Sequence, residues 1–72
     1  MDKYIIYSDK RFPDILVTKA RIKSELQHEL CLIYYRTIDK RVKQGIVHKD
    51  NIYDSLKEVK QVIGNKRCYY CT

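Results

Sequence analysis

Thr18-Lys19-Ala20-Arg21-Ile22-Lys23-Ser24-Glu25-Leu26-Gln27-His28-Glu29-Leu30-Cys31-Leu32-Ile33-Tyr34-Tyr35-Arg36-Thr37-Ile38-Asp39-Lys40-Arg41-Val42-Lys43-Gln44-Gly45 runs without proline, and without glycine until its last residue. Thr18 can cap a helix and Gly45 can end one, so the stretch predicts a long helix over about 19–43. Its apolar positions do not form one stripe. Ile22, Leu26, Leu30, Ile33 and Tyr34 share a face in the first half, while Cys31, Tyr35, Ile38 and Val42 fall roughly opposite in the second. A helix whose buried face switches midway calls for two different neighbours.

Those neighbours are sought on either side. Upstream, Tyr4-Ile5-Ile6-Tyr7 and Ile15-Leu16-Val17 are β-branched and aromatic, and the turn formers and Pro13 between them suggest a hairpin over about 3–17. Downstream, Asn51 and Asp54 resemble a short capping box. Ile52, Leu56, Val59 and Ile63 make one stripe and Gly64 ends it, which predicts a second helix over about 51–63. The expected fold is therefore small α+β: an N-terminal β-hairpin packed on an antiparallel pair of helices in one domain over 1–72. A cysteine-bearing tail, 64–72, closes the chain.

Seventy-two residues sit near the lower limit for a self-sufficient core. A chain of this size buries only roughly 60% of its unfolded surface, so a staple, a subunit or a target is expected to help. Fifteen Lys+Arg against nine Asp+Glu give a formal charge of +6, which favours acidic partners. The start, Met1 to Tyr7, is too polar for a signal peptide, and the longest apolar stretch, Leu30–Tyr35, is far below the ~20 residues of a membrane span. Three cysteines without a secretion signal argue against a disulfide framework. The expected location is intracellular and cytoplasmic.

The cysteines fall into metal-ligand spacing. His28 and Cys31 read H-x-x-C, Cys68 and Cys71 read C-x-x-C, and two such pairs suit a closed tetrahedral zinc site of structural type. With two antiparallel helices, a rise of about 18 Å from Cys31 to the end of the first is matched by the return of the second. That return would bring the tail back to Cys31. Two other uses stay open: plain buried or surface thiols, and a dithiol switch.

On the expected first helix, Arg36, Lys40 and Lys43 share a face, and Lys66 and Arg67 could join them from the tail. Such a cluster would meet phosphates or an acidic partner, or simply complement the helix dipole. Tyr69 and Tyr70 belong to a set of seven tyrosines and would cap the core or anchor a protein interface.

Ile38-Asp39-Lys40-Arg41-Val42-Lys43-Gln44-Gly45-Ile46-Val47-His48-Lys49 resembles the segment joining the last two helices of the twentieth small-subunit ribosomal protein of bacteria, which commonly reads I-D-x-x-x-x-x-G-x-I-H-K-N. The resemblance implies a helical bundle on ribosomal RNA, with Lys40, Lys43, His48 and Lys49 near the phosphate backbone. It covers only this segment, and the family's long basic first helix has no counterpart here.

No nucleophile–base pair or glycine-rich phosphate loop stands out, so an enzyme is not expected. The leading expectation is a small intracellular regulator or inhibitor acting by protein–protein contact, of the size used by phages and mobile elements. Its contact surface would be the hairpin edge, which could also form a homodimer, or Tyr69 and Tyr70. The alternative is a basic nucleic-acid-binding, transcription- or ribosome-associated domain, with structural zinc compatible with either.

Overall fold

The computed structural model describes residues 3–71; Met1, Asp2 and Thr72, the ends of the expected domain and tail, lie outside them. Its elements are β1 (Lys3–Tyr7), β2 (Ile15–Glu25), β3 (Leu30–Arg36), β4 (Val42–His48), a one-turn 3-10 helix (Lys49–Asn51), β5 (Ile52–Tyr53), α1 (Leu56–Ile63) and β6 (Cys68–Tyr70). They form one six-stranded sheet in the order β4-β3-β2-β1-β5, with β6 added to β2. Every pairing is antiparallel except β2–β6.

The long strand β2 organises the sheet. One edge carries β1 along Leu16–Ala20. The other carries β6 along Ile15–Val17 and then β3 along Ala20–Glu25, so β2 forks between two partners near Thr18. Thr18 is buried there, and its hydroxyl donates to the Arg36 carbonyl at 2.7 Å. On the other side of the fork the Cys71 N–H donates to the Val17 carbonyl at 2.8 Å.

Two apolar clusters lie on opposite faces, as the period-2 alternation of a strand requires. Ile5, Ala20, Cys31 and Ile33 make one, with Tyr35, Val47 and Ile52 against them. These residues come from β1 through β5, although β4 and β5 are at opposite ends of the strand order. The helix does not cover this face, so the sheet must curl upon it to exclude water. Val17, Val59 and Ile63 make the second cluster, joined by Tyr4, Ile6, Ile15, Tyr53, Cys68 and Tyr70. Here α1 lies across β1 and β5, and burying Val59 and Ile63 contributes roughly 1.5–3 kcal/mol each. No helix of the described residues is long and apolar enough to cross a membrane.

The hairpin strands lie where the sequence placed them, but the hairpin-on-two-helices fold is corrected. The predicted helix over 19–43 is instead the second half of β2, all of β3 and the start of β4. Two tight turns make the difference. At Gln27–Leu30, His28 and Glu29 adopt φ of 61° and 60°, and the Leu30 N–H returns to the Gln27 carbonyl at 3.3 Å. That is the signature of a type I′ hairpin turn, formed without the usual Asn-Gly. At Thr37–Arg41 the Lys40 N–H donates to the Thr37 carbonyl at 3.0 Å, and Lys40 itself has φ 65°. This is a three-residue hairpin loop with the left-handed residue last, a position that usually carries glycine.

The second helix exists but is shorter than 51–63. Asn51 ends the 3-10 turn and Ile52 lies in β5. The true N-cap is Ser55, whose hydroxyl accepts from the Glu58 N–H at 3.3 Å while Glu58 accepts from the Asp54 N–H at 3.0 Å. This resembles a capping box on Ser55, one residue beyond Asp54, with the return bond made to the residue before the cap. Gly64 does end the helix, at φ 66°. The ribosomal-type segment Ile38–Lys49 is a β-turn and a strand rather than a joint between helices, with Gly45 inside β4 opposite Ile33.

Candidate nucleic-acid interface

The helix α1 covers the outer face of the sheet only over β1, β5 and the start of β2. Beyond Val17 that face continues uncovered along β2, β3 and β4. Strand alternation brings Lys19 and Arg21 onto it from β2, Tyr34 and Arg36 from β3, and Val42 and Gln44 from β4. Register then sets their neighbours. Arg21 lies directly opposite Tyr34, Tyr34 opposite Gln44, and Arg36 opposite Val42.

Tyr34 sits at the centre. The Gln44 Nε2 donates to its hydroxyl at 3.2 Å, and the Lys23 ammonium lies 5.2 Å from its ring centroid in a cation–π contact. A bulge between Ile22 and Ser24 shifts the pairing at this point and re-aims Lys23 toward the ring. Lys19, Arg21, Tyr34, Arg36, Val42 and Cys71 border a groove of about 720 Å³ at the fork of β2.

The electrostatics of this face are one-sided. The segments that build it, 19–24, 32–36 and 42–47, contain no Asp or Glu. Among the described residues four acids pair with cations elsewhere, Asp9 and Asp39 with Arg11, Glu25 with Lys49 and Asp54 with Lys3, while Glu29 and Asp50 lie beside the His48 ring. Arg21, Lys23 and Arg36 have no carboxylate partner among them. The Arg11 guanidinium, hydrogen-bonded to Asp9, holds that carboxyl down at about 2, which ties Asp9 to its own cation.

The expected basic cluster is dispersed. Arg36 lies on the groove, but Lys40 is in the β3–β4 turn and Lys43 stands opposite Tyr35, on the other face of the sheet. Lys66 and Arg67 lie in the connection from α1 to β6, at the far end of β2, where the Arg67 carbonyl accepts from the Ile15 N–H. Lys19, Arg21, Lys23 and Tyr34 were missed, although Lys19-x-Arg21-x-Lys23 is legible as a cationic strand face once the period is 2 rather than 3.6.

The four candidate zinc ligands are not brought together. His28 is at the tip of the β2–β3 turn, Cys31 is 1% exposed in the inner cluster, and Cys68 packs in the cluster under α1 on the opposite face. Cys71 lies 3.5 Å from the Tyr7 hydroxyl. Burial, then the Cys71 thiol beside it, pushes the Tyr7 hydroxyl pKa upward. Among the described residues no three His, Cys, Asp or Glu side chains converge. The antiparallel helix return on which the clip depended does not exist.

Tyr70 is half-buried under α1, where the hydrogen bond to Cys68 and then burial raise its pKa. Tyr69 is 48% exposed, with its ring 5.7 Å from that of Phe12. At the hairpin edge proposed for a homodimer, β5 pairs with Tyr4 and Ile5 of β1, and β2 is flanked on both sides.

Comparison with known proteins found no matching family model, no matching curated protein and no matching solved structure.

Proposed function

We propose that the chain binds single-stranded nucleic acid on the outer face of β2–β3–β4. The observation that supports this is the acid-free array of Arg21, Lys23 and Arg36 around Tyr34 on a uncovered sheet face. Arginine and lysine neutralise phosphates and release counterions, which makes affinity fall with salt. A tyrosine flanked by cations offers a stacking surface for an unpaired base, and stacking of this kind is tolerant of sequence. Lys23 would leave the ring, or stack with it, as the base arrives. The reading needs no metal and no catalytic group.

Fluorescence anisotropy with a mixed-sequence single-stranded oligonucleotide tests it. Arg21→Ala with Arg36→Ala should weaken binding and lower the slope of log affinity against log salt by about 1.4, at ~0.7 per phosphate contact. Tyr34→Ala should cost about 1–3 kcal/mol with little change in that slope. Lys57→Ala with Lys60→Ala, on the exposed side of α1, is the control and should move neither. No binding at low salt rejects the proposal.

A protein-contact function has support in a different place. Exposed Tyr69 packs its ring on part-buried Phe12 away from the basic face, and exposed tyrosines are favoured interface anchors. A complex with a protein partner that survives high salt and is lost in Tyr69→Ala would favour that reading.

A further inference from the structure

We infer that β4 pairs with β4 of a second copy of this chain, antiparallel about a two-fold axis at Gln44, to make one sheet across two molecules. β4 is the end of the strand order, and among the described residues its outer edge carries no strand. An exposed edge is a template for pairing, and proteins usually blunt it with proline, a short strand or inward charge. This edge has seven residues, Val42–His48, no proline, Lys43 as its one Lys or Arg, and two of the most exposed apolar side chains of the molecule, Val42 at 63% and Ile46 at 61%.

The hydrogen-bond phase says which groups are free. Thr37 N–H donates to the Arg41 carbonyl at 2.7 Å, and Lys49 N–H to the Glu29 carbonyl at 2.8 Å. Hydrogen-bonded pairs alternate along an antiparallel ladder. Between those two bonds the pairs Tyr35–Lys43, Ile33–Gly45 and Cys31–Val47 are therefore the bonded ones. Val42, Gln44, Ile46 and His48 turn their N–H and C=O groups outward.

The side chains then select a second copy as the occupant. Centring the pair on Gln44 sets Val42 of one copy opposite Ile46 of the other, twice, so each covers the other's exposed apolar surface. It sets Lys43 opposite Gly45 rather than opposite another lysine, which avoids a like-charge pair. The two ends of β4 are also complementary. Lys40, Arg41 and Lys43 outweigh Asp39 at the start, whereas Glu25, Glu29 and Asp50 outweigh Lys49 at the finish. An antiparallel two-fold brings each end against its complement, and the contact closes after two copies. The interface is small, so the dimer forms in a concentration-dependent equilibrium.

Sedimentation equilibrium of the full chain without nucleic acid, together with hydrogen exchange at two concentrations, tests this. The expected result is a rise from the 8.7 kDa monomer toward twice that mass at hundreds of micromolar. Slower exchange should accompany it at the Val42, Gln44 and Ile46 amides, whereas those of Lys43, Gly45 and Val47 are protected at every concentration. Ile46→Lys, an exposed change, should keep the circular dichroism spectrum and stay monomeric. A mass fixed at the monomer value overturns the inference, and so does a dimer that leaves the three outward amides unprotected. A monomer whose β4 amides become protected only with a foreign protein strand also overturns it, in favour of a heterologous partner.

Discussion

His28 and Glu29 decide the path of the chain at the residue scale. Both hold left-handed φ, a conformation that costs a non-glycine residue roughly 1–2 kcal/mol. Replacing His28-Glu29 with Asn-Gly should relieve part of this and raise stability by about 1 kcal/mol in urea unfolding, because a type I′ turn favours those residues. A helix at this position would instead lose about 1 kcal/mol from the glycine, so the sign of the change separates hairpin from helix. The cysteines make a second prediction. Cys31 is buried in the inner cluster and Cys68 and Cys71 are half-buried, so a thiol reagent should label the latter two in the native protein and Cys31 only on unfolding. Asp9 supplies a third. Its carboxyl is lowered to about 2 by Arg11, so the folded state binds fewer protons than the unfolded state between about pH 2 and pH 4. The stability from this pair should be full above pH 4 and lost as pH falls through that window. Asp9→Asn should flatten that part of the acid unfolding curve.

At the scale of elements, the sequence was legible where an element was short and bounded, and misleading where it was continuous. Tyr4–Tyr7 and Ile15–Val17 stand between turn formers, and both runs are strands. The Leu56, Val59 and Ile63 stripe and the stop at Gly64 made α1 visible, whereas its cap, Ser55 with Glu58, was misplaced onto Asn51 and Asp54. β3 was not. Leu30-Cys31-Leu32-Ile33-Tyr34-Tyr35 is apolar at every position, although only Cys31 and Ile33 lie in the inner core; Leu30, Leu32 and Tyr34 stand part-buried among their neighbours on the outer face. Such a run fits a buried strand or a buried helix equally well. Its flanking turns carry His-Glu and Asp-Lys where glycine or asparagine would have announced them. Gly45 reinforced the error by looking like a helix stop. It serves instead as a close-packing position, since a Cβ there would lie 3.3 Å from the Tyr35 ring. Ile33 is the clearest test of this element. Ile33→Ala should cost about 2–5 kcal/mol, a large share of what so small a core supplies.

At the scale of the whole molecule, the charge of +6 matters through its distribution. Asp9, Asp39, Glu25 and Asp54 each pair with a cation away from this face, and Arg21, Lys23 and Arg36 surround Tyr34 with no carboxylate partner among the described residues. The candidate site was illegible for the same reason as the fold: a helical period grouped Arg36, Lys40 and Lys43, whereas a strand period groups Lys19, Arg21 and Lys23 and adds Arg36 across the ladder. Pairing of two β4 edges would join two such faces side by side. The central claim is best tested by mapping amide chemical shifts during titration with a mixed-sequence single-stranded oligonucleotide at low salt. The account predicts salt-sensitive shifts concentrated at residues 19–24, 32–36 and 42–46, with α1 and β6 unmoved. Shifts centred on α1, β6 or the Phe12–Tyr69 pair, or no shifts at all, would contradict it.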